Sequence, residues 1–180
     1  MSAAPTTPCT LGTGVAVVVA GQEAFDAFVR ARLPELLRFG RALTGSEHAA
    51  ADLVQDALER TLMHWNRVES RDDPEGYVRR TMVNRNISLW RKLRKERLRD
   101  EFPDSGYDPT PDDPDRATWR AVQGLPPRMR AVVALRYYED LTEAQTARVL
   151  GCSVGTVKSQ TSKAMAKLRA ALDDQQEVTR

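Results

Sequence analysis

The chain has 180 residues, with 27 Lys and Arg against 25 Asp and Glu; its net charge of +2 names no class of partner, and its length allows one large domain or two small ones. Two cysteines, Cys9 and Cys152, form no CxxC pair and stand at no ligand spacing with His48 or His64, so no zinc site or other metal site is expected, and no disulfide framework. The one continuous apolar run, Val15 to Ala20, is far shorter than the about 20 residues that span a membrane and has no Lys or Arg before it. Neither a spanning helix nor a secretory signal is expected, and the chain is placed in the cytoplasm.

Residues 1–21 are rich in small residues, Thr, Pro and Gly, and read as a mostly disordered tail. From Gln22 the pattern turns helical: Phe25, Phe28, Val29 and Leu33 recur at helical spacing until Pro34, where the helix is expected to break or restart. Leu36, Leu37 and Leu43 continue an apolar face, and Thr44-Gly45-Ser46 punctuates it with Ser46 as N-cap. The next helix is the clearest in the chain. Leu53, Val54, Ala57, Leu58, Thr61, Leu62 and Trp65 form one stripe at period 3.6, opposite Asp52, Gln55, Asp56 and Glu59. Those acids complement a helix dipole or form a docking face for a basic partner, and the pattern favours neither.

Asn66 to Asp73 reads as a polar connection. Asp73-Pro74 then starts a helix with an N-cap acid and Pro at N1. Its apolar positions are Tyr77, Val78, Met82, Leu89, Trp90 and Leu93, and residues 79–99 carry nine Arg or Lys against one acid, Glu96. Nine bases exceed what a helix C-terminus needs, and Tyr77 and Trp90 among them suit base stacking beside phosphate contact. Residues 100–115 reverse the sign, with seven acids, no base, and Pro103, Pro109, Pro111 and Pro114. That composition makes an extended, self-repelling linker between two modules.

The second module, from about Arg116, has ten bases against three acids up to residue 172. Arg116 to Gln123 and Arg128 to Glu139 read as helices around Leu125-Pro126-Pro127, and Thr142 caps a short helix to Leu150. Gly151-Cys152-Ser153 turns the chain into a last helix from Val154 to Leu172. Ala147, Gly151 and Val157 hold the internal spacing of a helix-turn-helix: a small residue at the crossing, Gly for a positive φ, and a β-branched residue for packing. The outward face of the second helix offers Lys158, Ser159, Gln160, Ser162, Lys163 and Lys167 to phosphates or base edges. No strand-like alternation of useful length appears, so the class expected is all-α. No catalytic constellation is visible and no cofactor is expected.

Three stretches carry a resemblance: ADLVQDALERTLMHW, DPEGYVRRTMVNRNISLWRKLRKE and LPPRMRAVVALRYYEDLTEAQTARVLGCSVGTVKSQTSKAMAKLR. In this order, residues 22–172 resemble the extracytoplasmic-function group of sigma-70 family sigma factors, and especially its actinobacterial sigma-E-like branch. The resemblance implies two small helical domains, a region 2-like domain over 22–99 and a region 4-like domain over 116–173, with the linker at 100–115 and a tail at 174–180. It implies a non-enzymatic promoter-specificity subunit with core RNA polymerase and promoter DNA as partners, an anti-sigma factor as a further one, and no small-molecule substrate.

The first stretch is similar to the segment that grips polymerase, which assigns Asp52, Gln55, Asp56 and Glu59 to docking. The second is similar to the helix that melts and reads the −10 element. There Asn84 would line a pocket for a flipped base, with Arg79, Arg80, Arg85, Trp90, Arg91 and Lys92 as strand contacts. The third implies −35 reading by Lys158, Ser159, Ser162 and Lys163. Its Lys-Ser-Gln-Thr-Ser-Lys segment departs from relatives with more Arg, and residues 1–21 have no counterpart in the family pattern. Without the resemblance, a stand-alone helix-turn-helix regulator is the alternative.

Overall fold

The computed structural model describes the backbone of residues 12–69, 73–97 and 114–178, and these segments are helices joined by short turns. Helix α1, Gly12–Thr44, is the longest. It begins ten residues earlier than the tail expected over 1–21 allows, since no proline or cap interrupts residues 12–33. It also runs through Pro34 without ending there. A proline inside a helix costs about 3 kcal/mol. Just beyond it Leu36, Phe39 and Leu43 are all fully buried, and each contributes roughly 1.5–3 kcal/mol on leaving water, which outweighs that cost.

Ser46 caps α2, Glu47–Leu62, by accepting from the Ala49 N–H at 3.4 Å. The expected stripe is its buried face: Ala50, Leu53, Val54, Ala57 and Thr61. Thr61 is tolerated there because its hydroxyl donates back to the Ala57 carbonyl at 2.7 Å. The polar connection expected after Asn66 is instead part of a short helix α3, Trp65–Glu69. Trp65 and Val68 lie three residues apart and both are buried, with Phe25 edge-on to Trp65 at 5.1 Å. Helix α4, Pro74–Arg97, starts as its sequence predicts: the Asp73 carboxylate accepts from the Gly76 N–H at 2.7 Å.

The second half holds α5, Pro114–Gln123; α6, Pro127–Val133; α7, Glu143–Leu150; and α8, Val154–Val178. Helix α8 passes beyond residue 173, so the tail expected at 174–180 is helical as far as 178. The helix expected over Arg128 to Glu139 changes pitch. From Ala134 to Tyr138 it is a π turn, closed by Glu139 N–H to the Ala134 carbonyl at 3.0 Å. Apart from residues 114 and 115, the linker expected over 100–115 lies outside the described residues, as do residues 1–11.

The described residues contain no strand, and the all-α class stands. The two halves do not stand apart, however. Ala131, Ala134, Leu135 and Val149 of the second half share one core with Leu36, Phe39, Leu43, Val78 and Met82 of the first. The segment Ala131 to Leu135 is apolar on every side and buried on every side. Val132 packs with Ala147 and Val157, and Val133 with Ala121, Leu125, Ala164 and Leu168.

The C-terminus of α1 is completed by the second half. The Arg130 guanidinium donates to the Leu43 carbonyl at 2.8 Å and to the Leu125 carbonyl at 3.1 Å, and it also bonds Gln123. The Gln123 amide donates to the Ala42 carbonyl at 3.2 Å. Helix C-terminal carbonyls have no partner within their own helix, and buried ones need partners from elsewhere. Burial pushes the Arg130 pKa below its ordinary value, and these acceptors hold the charge in place. Arg130→Ala should therefore cost about 3 kcal/mol, since it strands carbonyls inside the fold. Urea unfolding measures this, and a loss under about 1 kcal/mol would mean that water replaces the guanidinium.

Candidate nucleic-acid interface

Helix α4 presents Arg80, Asn84, Arg91 and Lys92 as exposed side chains, with Trp90 at 39% exposure. Asn84 lines a cavity of about 380 Å³ together with Arg60, Met63, His64, Tyr77, Thr81, Arg85 and Ser88. Its walls are an aromatic ring, an imidazole, an amide and two guanidinium groups. Such a set can stack on a planar base, bond its edges and hold a phosphate. The periodicity of α4 alone does not reveal this cavity, because one wall comes from the end of α2. The signal available in sequence was the pair Arg60 and His64, four residues apart, just beyond an apolar stripe.

Arg85 is half-buried, and its Nε lies 2.9 Å from an Asp56 carboxylate oxygen that Arg60 also reaches at 3.2 Å. Asp56 thus faces the cavity's arginines. Of the four residues expected on a docking face, Asp52, Gln55 and Glu59 are exposed, with the Gln55 amide donating to Glu59 at 2.9 Å. Asp56 differs because α2 packs on α4 along this edge, which brings Arg85 within its reach.

Arg79 is the expected strand contact that the fold covers. Its side chain is 13% exposed and sits between two carboxylates, Glu75 at 2.9 Å and Glu139 from the end of the π turn. Burial raises the Glu139 pKa above the ordinary carboxylate range; Arg79 and Arg38 oppose that shift, and Glu75 adds to it. The ion pair therefore does not fully repay the desolvation of its acid. Arg80, next along, lies over the turn of the second half, where a Cβ at Gly151 would come 2.9 Å from its terminal nitrogen.

The helix-turn-helix has the predicted anatomy. Thr142 and Gln145 close a capping box at the start of α7. Gly151 ends that helix in the left-handed region at φ 62°, and the Ser153 hydroxyl accepts from the Thr156 N–H at 3.1 Å to start α8. Val157 is fully buried against Ala147 and Val132. These contacts turn Lys158, Ser159, Ser162 and Lys163 outward, all exposed, while Val157, Ala164 and Leu168 face in. Lys158 lies 3.7 Å from Glu143, an exposed pair that a phosphate can displace at little cost. Among the described residues, no group of three His, Cys, Asp or Glu side chains is placed to hold a metal ion.

Two family models match the chain: Sigma-70 region 2 over residues 28–96, and Sigma-70, region 4 over residues 115–168. The RNA polymerase sigma-E factor of Streptomyces coelicolor is 38% identical over 151 residues, covering 82% of this chain and 85% of that protein. The ECF RNA polymerase sigma factor SigE of Mycolicibacterium smegmatis is 29% identical, covering 83% of this chain and 62% of the relative. Among solved structures, the sigma factor RpoE of Bartonella quintana, in complex with the anti-sigma factor NepR, matches with a TM-score of 0.67 at 24% identity. That match covers 84% of this chain and 98% of the other, and at this identity it speaks for the fold.

The turn makes a direct prediction. Gly151→Ala places a Cβ in a left-handed backbone, against only the far end of a flexible arginine, so backbone strain is the main cost. The expected loss is about 1–2 kcal/mol, with Gly151→Asn losing less. Thermal unfolding of the two variants tests it, and equal stability of Ala and Gly at 151 would contradict the strained turn.

Proposed function

This chain belongs to the sigma-70 family, in its extracytoplasmic-function group, and on that premise we propose how its residues share promoter recognition. The protein is an RNA polymerase sigma subunit: it binds core polymerase and promoter DNA and directs transcription initiation. Sigma factors are non-catalytic, and we read this chain as one that makes and breaks no bond. No helix among the described residues is long and apolar enough to cross a membrane. We read its site of action as the cytoplasm, where promoter DNA is found.

In our reading, residues 22–99 form the polymerase-docking and −10 module, 100–115 the linker, and 116–173 the −35 module. Asp52, Gln55 and Glu59 face polymerase. Asp56 ties that helix to the −10 helix by holding Arg85 and Arg60. Asn84 bonds the edge of a base turned out of the −10 stack, Tyr77 and His64 offer it planar faces, and Arg80, Arg85, Arg91 and Lys92 take the strand's phosphates. Unstacking a base costs a few kcal/mol, which pocket and phosphate contacts offset. Trp90 adds a stacking surface beside the pocket. Lys158, Ser159, Ser162 and Lys163 enter the −35 major groove. An anti-sigma factor is a further partner in this proposal.

The observation that carries the reading is the cavity around Asn84, walled by aromatic, amide and guanidinium groups on a helix whose neighbours are basic. In vitro initiation with core polymerase tests it. Asn84→Ala should leave closed-complex formation near wild type and reduce permanganate reactivity across the −10 region. Lys163→Ala should weaken −35-dependent initiation by an amount on the order of 1–3 kcal/mol if it reads a base. Normal permanganate reactivity in Asn84→Ala would remove the pocket assignment. Unchanged initiation from every promoter in Lys163→Ala would remove that residue from −35 recognition.

A further inference from the structure

The Sigma-70 region 2 match begins at residue 28, while α1 begins at Gly12. The stretch of α1 just ahead of the match has a definite inner face. Gln22, Glu23, Asp26 and Ala27 are exposed, whereas Ala24 and Phe25, with Phe28 and Val29 one turn on, form one cluster with Trp65 and Val68 of α3. Phe25 meets the Trp65 ring edge-on at 5.1 Å, and Phe28 lies 5.3 Å from it. At Gly21 the two helices come so close that a Cβ would stand 3.3 Å from the Asn66 side chain.

Helix α3 depends on this packing. Its five residues are too few to hold a helix by their own hydrogen bonds. Trp65 is buried, and its indole N–H meets no acceptor among the described residues, so ring packing alone orients it.

What α3 carries faces the other way. His64, just before it, and Arg67 within it are exposed, and both line a cavity of about 210 Å³ together with Val68 and Tyr77. His64 and Tyr77 also line the neighbouring cavity at Asn84. The His64 carbonyl accepts from the Arg67 N–H at 2.9 Å and the Val68 N–H at 3.1 Å, so His64 moves with α3. Val68 and Tyr77 belong both to the aromatic cluster and to the cavity wall. The cluster is therefore the backing of the wall against which a base would lie.

We propose that Phe25 is a positioning residue for −10 reading: through Trp65 and α3 it holds His64 and Tyr77 against the turned-out base. This rests on the reading of the Asn84 cavity as a base site. Phe25 itself is buried and touches no DNA. A planar base gains from a flat wall only at stacking distance, and a displacement of about 1 Å forfeits much of that gain.

The test uses core polymerase loaded with the full chain. The probe is a labelled single-stranded DNA with the non-template −10 sequence of a promoter the chain initiates from, intact or with an abasic site at each position in turn. Fluorescence anisotropy gives the ratio of the intact to the abasic affinity at the position where the lost base costs wild type most. Wild type should show a ratio on the order of ten-fold, as one stacked base supplies. Phe25→Ala should bring the ratio to about three-fold or less, and Phe25→Leu, which keeps apolar bulk, should fall between them. In a His64→Ala chain, Phe25→Ala should lower the ratio by less than it does in wild type, because part of what it positions is gone. Leu36→Val loosens the core away from α3 and should keep the wild-type ratio. A partly unfolded chain binds both probes less, so the ratio separates positioning from mere loss of fold.

A wild-type ratio in both Phe25 variants would overturn the proposal. An equal fall of the ratio in Leu36→Val would overturn it too, since general loosening would then explain the effect. Asn84→Ala distinguishes the proposal from the reading beneath it. Loss of the ratio in Asn84→Ala beside a wild-type ratio in Phe25→Ala would keep the base site and remove Phe25 from it. If no abasic position weakens wild-type binding, the base site falls and the positioning role falls with it.

Discussion

A helix that ends inside a protein must hand its last carbonyls to someone else. Helix α1 ends where the two halves meet, and Arg130 and Gln123 accept that task for Leu43 and Ala42. Much else is positioned by this. Arg130 fixes α6 against α1, which puts Leu135 into the core of the first half. The π turn that follows brings Glu139 to Arg79, and α7 comes to rest with its C-terminal turn under Arg80. Burial lowers the guanidinium's pKa, and its value to the fold lies in donating to carbonyls that would otherwise lack partners.

Local signals were legible because local chemistry sets them. Ser46, Asp73-Pro74, the Thr142 cap and Gly151 each satisfy or terminate a helix using groups a few residues away, and each does so here. The helix-turn-helix was legible for the same reason: Ala147, Gly151 and Val157 lie within eleven positions of one another. Pro34 misled because its effect is local while its compensation, burial of Leu36, Phe39 and Leu43, comes from elements far along the chain. The same holds for Trp65 and Val68, whose helix depends on Phe25 and Phe28.

The seam left one trace that the pattern of single helices obscures. Ala131 to Leu135 is five apolar residues in a row, and one helix facing one neighbour needs only a stripe. A run apolar on all sides calls for neighbours on all sides, and the second half alone cannot supply them. The cavity at Asn84 was half legible. Its α4 wall sits in the motif, while its other wall, Arg60 with Met63 and His64 just beyond, depends on how α2 packs on α4. Asp56 was legible as an acid on a polar face, but its partners Arg60 and Arg85 appear only once α2 and α4 pack.

The residue assignments depend on one property, that this chain gives core RNA polymerase a promoter preference. Run-off transcription on genomic fragments with purified core polymerase, with and without the chain, tests it most directly. Discrete new start sites that appear only with the chain, with shared sequences near −35 and −10, are the predicted result. No new transcripts, together with tight binding of duplex DNA by the chain alone, would contradict the claim and point to a helix-turn-helix regulator that acts without polymerase.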